Sequence, residues 1–121
     1  MNARQREYFR RKLSAWREEL LKESSQTLQH LQKDDFASAD LADRATTESE
    51  QSIELRTRNR ERKLISKIEV ALRRIEDGSY GYCEETGERI GLMRLEARPI
   101  ATLGIEAQEQ HERRERAFRD E

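Results

Sequence analysis

The sequence predicts an all-α protein: a long antiparallel coiled-coil hairpin, a small turn-rich globular module and a C-terminal helix. Three observations predict it. Charged residues make up 40% of the 121-residue chain and hydrophobic residues only 34%. That is too polar for a compact globule but suits a helix pair that buries one narrow seam. The apolar residues that do occur recur at spacings of three and four, and a single proline leaves long helices uninterrupted. The net charge of −1 argues against disorder, which usually combines low hydrophobicity with high net charge.

The first helix is expected to start near Ala3, because Asn2 and Gln5 have capping-box spacing. Phe9, Leu13, Trp16 and Leu20 then follow at intervals of four, three and four, a coiled-coil seam. The seam weakens through Ser24 and Thr27, resumes at Leu28 and Leu31, and the helix should end between Lys33 and Phe36. Thr47 and Glu50 offer a second capping box, with Asp43 a competing N-cap. The second helix carries Ile53, Leu64, Ile68, Ala71, Leu72 and Ile75 and should stop at Gly78.

In an antiparallel hairpin, facing positions have a constant sum. If the chain reverses about Ala42, Phe9 faces Ile75, Leu13 faces Ala71, Trp16 faces Ile68, Leu20 faces Leu64 and Leu31 faces Ile53. The organisation expected is a hairpin over residues 1–78, with its tip at about 35–47, and a globular module plus helix over 79–121. In the module Tyr80, Tyr82, Ile90, Leu92, Leu95, Ile100 and Leu103 alternate with Gly81, Gly87, Gly91 and Pro99, with a short hairpin expected around Thr86-Gly87. A last helix should run from about Gly104 to Arg119.

The near-zero net charge hides an asymmetry. Six acidic and two basic residues lie between Lys33 and Glu50, whereas eight basic and two acidic residues lie between Arg56 and Arg74. An acidic end beside a basic shaft suits an oriented encounter with a polyelectrolyte. The single cysteine, Cys83, permits no internal disulfide, which fits a reducing compartment. No apolar run has signal-peptide or bilayer length, so a cytoplasmic protein is expected. His30 and His111 have no partner at metal spacing, and no catalytic constellation stands out, so no enzyme is expected. Taken alone, Asp40 and Asp43 fit turn and N-cap roles, and the arginine-rich stretch fits a solvated helix face.

Four segments together bear a resemblance. Asp40-Leu41-Ala42-Asp43-Arg44-Ala45, the basic run from Glu54 to Ile65, Tyr80-Gly81-Tyr82-Cys83 and Arg94-Leu95-Glu96-Ala97-Arg98-Pro99 resemble, in order, the motifs of the DksA/TraR family of bacterial RNA polymerase regulators. The resemblance implies a hairpin inserted into the polymerase secondary channel, with Asp40, Asp43 and Ala45 at the active-site region. It implies destabilised promoter complexes, repressed ribosomal RNA synthesis, activated amino-acid promoters and a stringent response shared with ppGpp. It assigns Arg60, Lys63, Lys67 and Arg98 to polymerase or ppGpp contacts. A further basic position of the family is Gln108 here, so ppGpp synergy should be weakened. A monomer without sequence-specific DNA binding is implied.

The family's four-cysteine zinc site is degenerate, its positions holding Cys83, Thr86, Gly104 and Ala107. Zinc needs about four N or S donors, so a zinc-independent member is expected, its module closed by apolar packing around those small residues. Two rival readings stand beside this one. The first is a Gre-like transcript-cleavage factor whose acidic tip holds magnesium; the second is a generic coiled-coil scaffold.

Overall fold

A computed structural model describes residues 1–34 and 41–120, with the side chains at 27, 28, 30–34, 41–45, 119 and 120 outside the description. Among the described residues four helices follow one another: α1 (Ala3–Asp34), α2 (Leu41–Asp77), α3 (Leu92–Ala97) and α4 (Ile105–Asp120). Among the described residues there is no strand. The hairpin expected at Thr86-Gly87 shrinks to one antiparallel bridge between Tyr82 and Arg89. No helix among the described residues is long and apolar enough to cross a membrane.

The start of α1 is a closed capping box. The Asn2 amide donates to Gln5 Oε1 at 3.0 Å, and the Gln5 amide donates back to Asn2 Oδ1 at 2.8 Å. Helix α2 begins at Leu41, earlier than either N-cap read from the sequence, so Ala42 lies in its first turn. Ala42 is thus half the register sum and not the middle of the connection. Gly78 ends α2 at φ 86°, a conformation that costs glycine little. The Tyr80 amide beyond it donates to the Arg74 carbonyl at 3.0 Å.

The chain forms two compact units, one of Met1–Leu13 with Val70–Glu121, the other of Ser14–Glu69. In the second unit α1 and α2 pair antiparallel. Arg17 Nη2 meets Glu69 Oε1 at 3.2 Å, and Glu23 is close enough to Glu61 to raise its pKa. Glu23 and Glu61 satisfy the predicted sum. Leu20 and Ile68 are buried and Trp16, Leu64 and Ile65 half-buried.

Towards the N-terminal end of α2 the seam departs from expectation. Ile53 is 60% exposed and Leu55 is exposed too, while Glu54, Arg58 and Glu61 hold inner positions. Positions 54, 58, 61, 65, 68, 72 and 75 keep alternating steps of four and three. The period therefore passes one residue beyond Ile53, and polar side chains take the seam there. The expected partner, Leu31, lies outside the described side chains.

Among the described side chains the first unit holds the larger core. Phe9, Leu13, Ala71, Ile75, Tyr80, Cys83, Ile90, Leu95 and Ala107 are buried. The Phe9 and Tyr80 rings sit 5.7 Å apart, an aromatic contact that adds to area burial. Tyr82, Ile100 and Leu103 are half-buried. Leu92 is 45% exposed, a correction to its expected packing: it opens the short α3, which turns Leu95 into the core instead. The Tyr8 hydroxyl donates to both Glu96 oxygens at 2.7 and 2.8 Å, and Lys12 Nζ donates to Glu96 Oε1 at 2.8 Å. The Lys12 ammonium and the Tyr8 hydroxyl hold the Glu96 carboxyl below its ordinary range.

Candidate functional site

Three groups of candidate residues fall in different places. Asp40 lies outside the described residues. Asp43 and Ala45 are in the first turns of α2, with their side chains outside the description. Arg60, Lys63 and Lys67 are exposed on α2. With Arg56 they repeat at steps of four, three and four, so they share a face away from the seam. Lys67 belongs to the second unit and Arg98 to the first, where Arg98 caps the C-terminus of α3 and is exposed. Gln108 is half-buried on α4.

The third group comes together. Cys83, Thr86, Gly104 and Ala107 all line one cavity of about 290 Å³, with Ile90, Met93 and Ile105 among its apolar walls. Two backbone segments bring them there. The Cys83 amide donates to the Glu88 carbonyl at 2.8 Å and the Gly87 amide donates to the Cys83 carbonyl at 2.9 Å, closing a tight turn. Gly87 supplies the φ of 73° this turn requires. The Glu84 amide then donates to the Thr102 carbonyl at 2.9 Å, tying the turn to the segment that leads into α4. The expectation that small residues let this core close therefore holds only in part, because the cavity remains.

Within the cavity Cys83 is buried, yet its thiol is lowered to about 7. The Thr86 hydroxyl is the largest cause, and backbone amides of Gly104, Thr86 and Glu85 add to it against the opposing effect of burial. These donors stabilise a thiolate. Thiolate absorbance at 240 nm should accordingly rise with a midpoint near 7 and vanish in Cys83→Ser; a midpoint above 8.5, the ordinary thiol value, would contradict the arrangement.

The donor set does not fit zinc. One thiolate and one hydroxyl stand where about four N or S ligands are needed, and Gly104 and Ala107 offer no side-chain donor. Among the described residues no group of three or more His, Cys, Asp or Glu could hold a metal ion.

Side chains bridge the turn instead. Arg74, near the end of α2, points its guanidinium into the loop after the helix. Its Nη2 donates to the carbonyls of Tyr82 at 2.7 Å and Ser79 at 3.0 Å, and its Nε donates to Ser79 Oγ at 3.3 Å. Its Nη1 lies 3.9 Å from Glu84 Oε1. The Tyr80 hydroxyl donates to the Pro99 carbonyl at 2.8 Å, and Arg94 Nε donates to the Leu103 carbonyl at 3.0 Å. The sequence alone makes Arg74 part of a solvated basic face and does not single out Glu85. The one available signal for Arg74 was its place in the last helical turn before a glycine stop, where a cation meets carbonyl oxygens.

Comparison with known proteins covers nearly the whole chain. A family model described as DnaK suppressor protein DksA, N-terminal domain, matches residues 5–75. One described as prokaryotic dksA/traR C4-type zinc finger matches residues 78–113. The RNA polymerase-binding transcription factor DksA of Caulobacter vibrioides is 68% identical over 121 residues, which is 100% of this chain and 85% of that protein. The protein of the same name from Escherichia coli K12 is 49% identical over 116 residues, 96% of this chain and 77% of the relative. Among solved structures, transcription factor DksA2 from Pseudomonas aeruginosa superimposes with a TM-score of 0.89 at 45% identity, covering 96% of this chain and 89% of that one. Two family models in tandem, relatives matched along their length and a shared helical fold converge: the chain belongs to the DksA/TraR family.

Proposed function

We propose that this protein regulates transcription by binding RNA polymerase through the secondary channel. The observation that carries the reading is similarity along the entire chain to an RNA polymerase-binding transcription factor, at 68% identity. In this reading the α1–α2 hairpin is the inserted element. Asp40 and Asp43 bring negative charge to the active-site region, and the small Ala45 permits close approach. Arg60, Lys63, Lys67 and Arg98 meet polymerase or ppGpp, and Gln108 weakens the ppGpp response. The protein acts in the cytoplasm as a monomer in the stringent response. It represses ribosomal promoters and activates amino-acid promoters, cuts no bond and reads no DNA sequence.

The test is in vitro transcription from a ribosomal promoter, with and without ppGpp, comparing the wild type with Asp43→Asn. The wild type should repress, and the variant should need about tenfold more protein for the same effect, the ~1.4 kcal/mol expected of one lost charge-assisted contact. Equal repression by both would remove the tip mechanism. RNA cleavage in stalled complexes would assign the carboxylates to hydrolysis.

The module at 79–121 serves in this reading as a handle that holds without metal. Zinc contributes folding free energy wherever it is structural, so a chelator unfolds such modules. Here the melting temperature should be the same in chelator and in equimolar zinc. A fall of several degrees in chelator would overturn the metal-free reading.

A further inference from the structure

The family model over residues 78–113 is a C4-type zinc finger, in which one ion ties the first pair of positions, Cys83 and Thr86 here, to the second pair, Gly104 and Ala107. The present donor set cannot make that tie. The backbone bond from Glu84 to Thr102 anchors the segment before α4 but leaves the body of the helix untied. Another pair of residues joins the same two segments. Glu85 lies inside the first pair, between Cys83 and Thr86. His111 lies on α4, one turn beyond Ala107. His111 Nε2 meets Glu85 Oε1 directly, and both side chains are partly exposed.

We propose that Glu85 and His111 form the cross-link that docks α4 onto the 83–86 turn, doing by one side-chain contact what the metal does in four-cysteine members. The placement argues for it. A zinc ion at the cavity would join the turn to the first turn of α4. The Glu85–His111 contact joins the same turn to the second, so it restrains the same relative motion from a longer lever arm. Two further observations fit an exchange of one tie for another. A cavity separates the side chains at the four ligand positions, so packing alone does not lock α4 to the turn. The charged residues that flank the pair in sequence are Glu84 on the turn and Glu112, Arg114 and Glu115 on α4. Of these, Glu84 is 3.9 Å from Arg74, which leaves Glu85 as the carboxylate of the turn that reaches the helix. Glu85 and His111 are therefore positioning residues for α4 and for Gln108 on it.

Amide hydrogen exchange of α4 in the full chain tests this, with α1 and α2 amides as internal references. His111→Ala should speed exchange across the first two turns of α4 about threefold to fivefold, as loss of a partly exposed pair allows, without altering the references. Glu85→Ala should do the same, and the double variant should exchange no faster than either single one. In Thr86→Cys/Gly104→Cys/Ala107→Cys loaded with zinc, adding His111→Ala should have no effect, because the metal again carries the tie. The proposal is overturned if His111→Ala leaves α4 exchange unchanged, if the two single effects add, or if His111→Ala is equally disruptive in the zinc-loaded form. None of these readouts involves polymerase, so a failure here is separable from a failure of the proposed function.

Discussion

Arg74→Met should lower the melting temperature of this protein by roughly 10 °C, corresponding to about 3 kcal/mol for a chain of this length. The size follows from what the guanidinium does. Its side chain is only 11% exposed, and it donates to two backbone carbonyls and one hydroxyl in the loop that carries Tyr82 and Cys83. Charge-assisted hydrogen bonds of this kind are stronger than neutral ones. Removing the donor also leaves the Ser79 and Tyr82 carbonyls without this partner. Methionine keeps most of the apolar stem, so the loss reads out the bonds and not the packing. Arg74→Lys should recover only part, because an ammonium cannot reproduce the planar fork that spans Ser79 and Tyr82. Arg73→Met, one residue earlier and exposed, should change stability by less than about 0.5 kcal/mol. Thermal denaturation of the three variants decides it. If Arg74→Met and Arg73→Met melt together, the guanidinium does not hold the loop.

That Arg74 was read as surface charge shows where the sequence stops being legible. Features that depend on spacing along one helix were visible: the Asn2–Gln5 box, the seam at Phe9, Leu13 and Leu20, the glycine stop at Gly78. So was the sum rule, which sets Glu23 opposite Glu61. What was not visible depends on how the loop after α2 folds back. Apart from its place in the last turn before Gly78, Arg74 looks like Arg73 and Arg56 in sequence, and the path of Ser79 to Tyr82 is what sets it apart. The start of α2 at Leu41 was missed because both capping signals read, Asp43 and Thr47, lie inside the helix. Ile53 was misplaced because an apolar side chain was given priority over the period, which runs through Glu54 and Arg58. The motifs at Asp40–Ala45 and Arg94–Pro99 were legible through resemblance alone, since nothing in their physical chemistry distinguishes a polymerase-directed carboxylate from a turn residue.

The buried Glu61 leads to the second large effect, with the opposite sign: Glu61→Leu should make the protein more stable, by about 1–2 kcal/mol at neutral pH. Glu61 is 9% exposed and occupies a seam position between Arg58 and Ile65 in the period. One of its oxygens is buried without a hydrogen bond. Loss of water around the carboxyl, and then the facing charge of Glu23, push its pKa above the ordinary carboxylate value. Only two helices cover the group, so the penalty is far smaller than in a deep core. A raised folded-state pKa means that the native state binds the proton more tightly than the unfolded chain does. The protonated carboxyl therefore contributes its stability in full below the unfolded pKa, and that contribution is lost as pH rises through the folded pKa. Wild type should gain stability relative to Glu61→Gln as the solution is acidified through the carboxylate range, and the variant should be the more stable of the two at pH 7. Glu23→Gln should bring the Glu61 carboxyl part of the way back towards its ordinary value, because it removes the facing charge. The gain from Glu61→Gln should be smaller when Glu23→Gln is already present, because the repulsion between the two has then been removed. Urea denaturation of the five proteins at pH 7 and at pH 4 gives the comparison. If Glu61→Gln is the less stable at pH 7, the carboxylate is being held by favourable contacts and the seam at that level is an ionic one.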